Sequence, residues 1–191
     1  MGTGISLKDV IEVRFHGRGG QGAWTASQLL AYGGLRENRF VQSFPAFGPE
    51  REGAPIQAFT RISNKPITLH SMVYEPDIVV VLDETLLGTD VIQGINPETL
   101  IVVNTNMRPE QVREKLSIKN NRVWVVAATD LATKMLGRPI VNTAMLGAVV
   151  RASGIIEIGS LVEAIRERFS GQLAERNISL VHEAQKEAKT D

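Results

Sequence analysis

The chain has 191 residues, 21 basic and 21 acidic side chains, and a 43% hydrophobic content. That suits one globular domain, residues 1–191, able to bury a core without staples, and the balanced charge gives no reason to expect nucleic acid or an anionic membrane as partner. The absence of cysteine excludes a disulfide scaffold and, for this chain alone, a zinc–thiolate or iron–sulfur site.

Residues 1–10 lack the apolar run of a signal peptide, and no apolar stretch is long enough to span a bilayer, so a cytoplasmic protein is expected. Residues 11–16 alternate as a strand can, with Ile11, Val13 and Phe15 on one face. Four glycines follow within residues 17–22. Residues 23–35 then read as a helix that Gly33-Gly34 should loosen or end. Residues 40–44 read as a strand and the proline-rich residues 45–55 as a loop. Residues 56–62 and 67–70 read as two strands of an inserted hairpin, joined by Ser63-Asn64-Lys65-Pro66.

Three short β-branched runs, residues 77–82, 100–103 and 123–127, look like strands buried on both faces, which implies a parallel sheet covered by helices. Helices are predicted over residues 109–116, with Pro109 at the start, over 130–136, with Asp130 as N-cap, and over 142–153, 160–169 and 173–189. The alternation predicts an α/β fold: a Rossmann-like, doubly wound, mostly parallel sheet with an inserted hairpin.

The glycine segment reads Gly17-Arg18-Gly19-Gly20-Gln21-Gly22 and holds the G-x-G-x-x-G spacing between a predicted strand and a predicted helix. Glycines permit a tight turn and close backbone approach, and the helix that follows aims free N–H groups at any phosphate there. A tight turn that binds nothing is the simpler alternative, although four glycines exceed what a turn needs. A dinucleotide site would also want an acid at the end of the second strand. Phe40-Val41-Gln42-Ser43-Phe44 has none, and Glu37 precedes it, so NAD is disfavoured.

The proline-rich loop, Phe44-Pro45-Ala46-Phe47-Gly48-Pro49-Glu50-Arg51-Glu52-Gly53-Ala54-Pro55, follows the second strand's C-terminal end, where open α/β sheets bind ligands. Its charged Glu50 and Arg51 suit either a ligand contact or a solvated surface. Together with the glycine loop, Arg61-Ile62-Ser63 and Asn142-Thr143-Ala144-Met145-Leu146-Gly147-Ala148, this loop resembles the gamma subunits of the pyruvate:ferredoxin oxidoreductase family, over most of residues 11–169.

The resemblance implies a subunit of a 2-oxoacid:ferredoxin oxidoreductase, with pyruvate the expected substrate. Such enzymes convert a 2-oxoacid and coenzyme A to an acyl-CoA and carbon dioxide, and reduce ferredoxin. Thiamine diphosphate, magnesium and the 4Fe-4S clusters would belong to alpha, beta and ferredoxin-like delta subunits, and this chain would hold no catalytic residue and no metal. The implied coenzyme A contacts are Gly17, Arg18, Gly19, Gly20, Gln21, Gly22, Glu50 and Arg51. A stand-alone nucleotide-dependent oxidoreductase and a purely structural scaffold are the alternatives.

Other residues carry weaker signals. Asp83-Glu84, Asn104 and Thr129-Asp130 end apolar strands, where polar groups either line a crevice or cap the next helix. His16 suits a hydrogen-bonded strand end. Trp24, Trp124 and Met145 are expected in the core, and Asn142 is expected to bond a neighbouring loop or subunit.

Overall fold

The computed structural model describes residues 8–46 and 53–191. Runs of Val, Ile and Leu form β4 (Ile78–Val81) and β5 (Leu100–Asn104), every residue of which is buried, and the four-residue β6 (Val123–Val126). These lie parallel to one another and to β1 (Val10–Arg18). On the other side of β1 runs the antiparallel β3 (Pro55–Ser63), and beyond it β2 (Phe40–Pro45). The sheet order is β2-β3-β1-β4-β5-β6.

Helices cover both faces. One layer holds α1 (Ala23–Arg36), α4 (Ala128–Leu136), α5 (Asn142–Ser153), α6 (Ile158–Arg168) and α7 (Gly171–Glu187), packed on Val13, Phe15, Val80 and Val102. The other holds the short α2 (Thr89–Ile92) and α3 (Pro109–Leu116), packed on Val79, Val81, Ile101 and Val103. Alternation along each strand divides its side chains between the two cores. The doubly wound α/β architecture is therefore present. Among the described residues, no helix is long and apolar enough to cross a membrane.

Four local expectations need correction. The hairpin is β2–β3, not residues 56–62 with 67–70. Residues 67–70 form no strand, because side chains rather than a neighbouring strand take up carbonyls of this segment: Gln42 donates to Leu69 O, and Arg61 to Ser71 O and Met72 O. Gly33-Gly34 does not end α1. Both are buried, and a Cβ at Gly34 would lie 3.1 Å from Val41 and 3.2 Å from Ile62, so the glycine lets the helix approach the sheet. Trp24 is not core; it is 48% exposed on α1, whereas Trp124 is half-buried against the larger core. Finally, α4 begins at Ala128, which puts Asp130 in its first turn rather than at the cap.

Candidate functional site

Four parallel strands end at one edge of the sheet, and their C-terminal ends carry the loops that build the site. The glycine loop follows β1 directly. Gly20 (φ 93°) and Gly22 (φ 80°) both occupy left-handed backbone that disfavours side chains, and Gly22 is the N-cap of α1 without any side-chain cap. The loop is stitched to the start of β3: Gly19 N–H donates to Ala54 O at 2.9 Å, and Gly53 N–H to Gly19 O at 3.2 Å. Gln21 N–H turns back to Arg18 O at 3.0 Å.

The loop's two polar side chains face inward to Asp83, at the end of β4. Gln21 Oε1 accepts from Arg18 N–H at 2.8 Å, and Gln21 Nε2 donates to Asp83 Oδ2 at 2.8 Å. Arg18 Nε lies 3.3 Å from the same oxygen, Arg18 Nη2 donates to Thr85 Oγ1 at 2.8 Å, and Nη1 donates to Gly53 O at 3.1 Å. Asp83 Oδ1 takes the amide (2.9 Å) and hydroxyl (2.6 Å) of Thr85. Burial alone would raise the Asp83 pKa. The two bonds from Thr85, the Gln21 amide and the Arg18 charge outweigh it and hold the carboxyl below the usual carboxylate range.

Asn104 and Asp130 complete the opposite wall. Asn104 Oδ1 accepts from Thr129 N–H at 3.1 Å, capping α4 from the neighbouring strand, while Nδ2 donates to Leu82 O and Thr129 Oγ1, each at 2.8 Å. Asn106 Nδ2 reaches Asp130 at 3.0 Å. Asp83 and Glu84 do not converge as an acid–base pair, because Glu84 instead receives the Thr105 hydroxyl. His16 is a hydrogen-bonded strand-end residue, as expected: Arg14 Nε donates to its Nε2 at 3.0 Å. Asn142 Oδ1 caps Thr143 N–H, and its Nδ2 lies 2.7 Å from where a Cβ on Gly22 would sit, so α5 starts against the glycine loop.

Between these groups lies a crevice of about 580 Å³. Gly19, Gly20 and Gln21 form one wall, Asp83 and Glu84 the floor, Asn104 to Asn106 and Thr129-Asp130 the other wall, and Pro139 to Val141 the end. Thr129-Asp130 in the first turn of α4 and Val141, the N-cap of α5, line it, and Gln21 immediately precedes the N-cap of α1, so the positive dipole ends of these helices are nearby. Among the described residues, the lining side chains include three carboxylates and no lysine or arginine. Thr85, Asn106 and Pro139 to Val141 were not singled out in the sequence; the Gly137-Arg138-Pro139 turn before Asn142 was the available signal. Glu50, Arg51 and the rest of residues 47–52 lie outside the described residues. Glu37, the nearest acid to β2, accepts from Glu157 N–H at 2.6 Å, at the start of α6, and so is occupied there.

The sequence model of the "Pyruvate ferredoxin/flavodoxin oxidoreductase" family matches residues 12–187. The chain is 52% identical over 176 residues to the pyruvate/ketoisovalerate oxidoreductases common subunit gamma of Pyrococcus furiosus, covering 92% of this chain and 95% of that one. It is 47% identical over 169 residues to pyruvate synthase subunit PorC of Methanocaldococcus jannaschii, covering 88% and 91%. The crystal structure of pyruvate oxidoreductase subunit PORC from Thermotoga maritima superposes with a TM-score of 0.88 at 39% identity, over 96% of this chain and 99% of that one.

Proposed function

The chain belongs to the pyruvate ferredoxin/flavodoxin oxidoreductase family as a gamma subunit, and from that premise we propose that its crevice is one wall of the coenzyme A site of the assembled enzyme, while the remainder of the chain covers the thiamine site and braces the complex. Thiamine diphosphate, magnesium and the 4Fe-4S clusters reside on partner alpha, beta and delta subunits in this reading. This chain, having no cysteine, supplies no thiolate for a cluster. The names of the relatives favour pyruvate, or pyruvate together with a branched-chain 2-oxoacid, as substrate.

The observation that carries the proposal is the convergence of the glycine loop, the first turn of α4 and the N-cap of α5 on one crevice at the C-terminal sheet edge. Ligands of open α/β sheets bind at that edge. The acidic lining is unsuited to a phosphate deep in the crevice, but Asn106 and Thr129 suit the uncharged, amide-bearing arm of coenzyme A. Phosphate contact falls to the rim. There the amides of Gly19 and Gln21 are already bonded within the chain, which narrows the loop's contribution to Gly20. A helix N-terminus contributes about 0.3–1 kcal/mol to an anion, and up to about 2 when partly buried, enough to orient coenzyme A but not to hold it alone. Glu50 and Arg51 complete the proposed contacts.

The test is Gly20→Val in the assembled complex. A Cβ at Gly20 would meet nothing within 4 Å, so the substitution strains the loop backbone and fills the crevice without disturbing the core. The KM for coenzyme A should rise about tenfold or more, for a loss of roughly 1.4 kcal/mol, with the KM for the 2-oxoacid unchanged. An unaltered KM for coenzyme A would refute the role given to the loop.

A further inference from the structure

A loop with two left-handed glycines has more conformations open to it than other chain segments, so its observed shape needs a cause. Arg18 and Gln21 are the loop's only side chains able to hold it, and both converge on Asp83, 62 residues from Gln21 in the chain. We propose that Asp83 is a positioning residue: its carboxylate fixes the glycine loop before any ligand arrives and keeps Gly20 at the wall of the crevice. The proposal rests on the reading of the crevice as a coenzyme A wall, but its structural half can be tested separately.

The chemistry demands a carboxylate at this position. Asp83 receives three hydrogen bonds and one charge: Thr85 N–H and Oγ1 on Oδ1, Gln21 Nε2 on Oδ2, and the Arg18 guanidinium, whose Nε lies 3.3 Å from Oδ2 while giving its N–H to Thr85 Oγ1. An ionised carboxylate accepts at both oxygens, and charge-assisted bonds of this kind are the stronger ones. An asparagine offers one acceptor and one NH2 group, so whichever way it turns its NH2 faces a donor, Gln21 Nε2 or Thr85 N–H, and the ion pair with Arg18 is lost. The clasp also spans three segments. Arg18 reaches Gly53 O beside β3, Gln21 folds back on Arg18 N–H, and Thr85 bridges Arg18 to Asp83, so losing the carboxylate leaves the loop held to the end of β4 only through Arg18 and Thr85.

Two variants test this, Asp83→Asn and Thr85→Val, the second being an exposed rim substitution that removes only the bridging hydroxyl. Hydrogen exchange at residues 17–22 of the full chain should speed up about tenfold or more for Asp83→Asn and by a smaller factor for Thr85→Val, with exchange in β4 and β5 unchanged. In the assembled complex, Asp83→Asn should raise the KM for coenzyme A by a similar factor while leaving the 2-oxoacid KM and the kcat at saturating coenzyme A in place. Unchanged exchange at residues 17–22 in both variants overturns the positioning role, whatever the kinetics. Faster exchange with an unchanged coenzyme A KM supports the clasp and instead defeats the reading of the loop as part of the coenzyme A site.

Discussion

At the scale of single residues, His16 offers a clear electrostatic consequence. Its Nε2 accepts a hydrogen bond from the buried Arg14 guanidinium, which only the neutral ring can do. Burial, reinforced by the Arg14 charge, pushes its pKa from 6.5 down to about 3. Asp90 is the acid whose charge bears on Arg14. Between those two values the unfolded chain takes up a proton that the folded chain refuses. Stability from this group is therefore complete above pH 6.5 and is lost as the pH falls toward 3, by at most about 1.4 kcal/mol per pH unit. His16→Gln keeps an acceptor for Arg14 and does not titrate. Its unfolding free energy, measured in urea between about pH 6.5 and pH 4, should fall less steeply than that of the wild type. Parallel slopes would show that His16 is protonated without cost in the fold.

At the scale of elements, close packing of helices decides which small residues matter. A Cβ on Gly147 would overlap the carbonyl oxygen of Val181, so α5 and α7 touch there backbone to backbone. Alanine normally favours a helix by about 1 kcal/mol over glycine. Here the collision should outweigh that gain, and Gly147→Ala should destabilise the chain by about 1–3 kcal/mol. Gly33→Ala in α1 meets chiefly the terminal methyl of Ile156, a flexible tip that can move aside, so its loss should be under about 1 kcal/mol. Urea midpoints of the two variants measure the difference, and equal losses would contradict it. The glycines themselves were visible in the sequence, but what they touch was not: Gly33-Gly34 read as a helix end because local propensity carries no information about α6 or the sheet. The strands β4, β5 and β6 were legible because burial on both faces leaves a continuous β-branched run. The β2–β3 pairing was not, since residues 67–70 show the same short apolar alternation without a partner strand. Asp83 and Asn104 could be placed at strand ends, yet their partners Gln21 and Thr129 lie 62 and 25 residues away, which spacing alone does not reveal.

At the scale of the whole molecule, the two faces of the sheet are closed by different means. Helices cover one face along its length, but over β2 and β3 the other face has the irregular segment of residues 64–77 in place of a helix. Backbone without a ladder must find other hydrogen-bond partners, and Arg61 is the main one. It is buried to 1% exposure; its Nε meets Glu12 at 2.7 Å, Nη1 meets Gln42 Oε1 at 3.2 Å, and Nη2 takes Ser71 O at 2.8 Å and Met72 O at 3.3 Å. Its guanidinium also lies 5.3 Å from the centre of the Phe44 ring. One side chain thus ties β1, β2, β3 and the covering segment together. Arg61→Ala would leave Glu12 without its partner and two carbonyls without a donor, a change that costs about 3–5 kcal/mol when the pair is fully buried. Glu12 is 21% exposed and can regain water, so the lower end, about 3 kcal/mol, is expected. Arg61→Lys should recover little, because a single ammonium cannot span acceptors arranged around a planar fork. Urea unfolding of both variants gives the size of the loss, and hydrogen exchange should show residues 64–77 opening before β4 and β5. A lysine variant as stable as the wild type would mean that charge alone, and not the fork of donors, keeps this segment on the sheet.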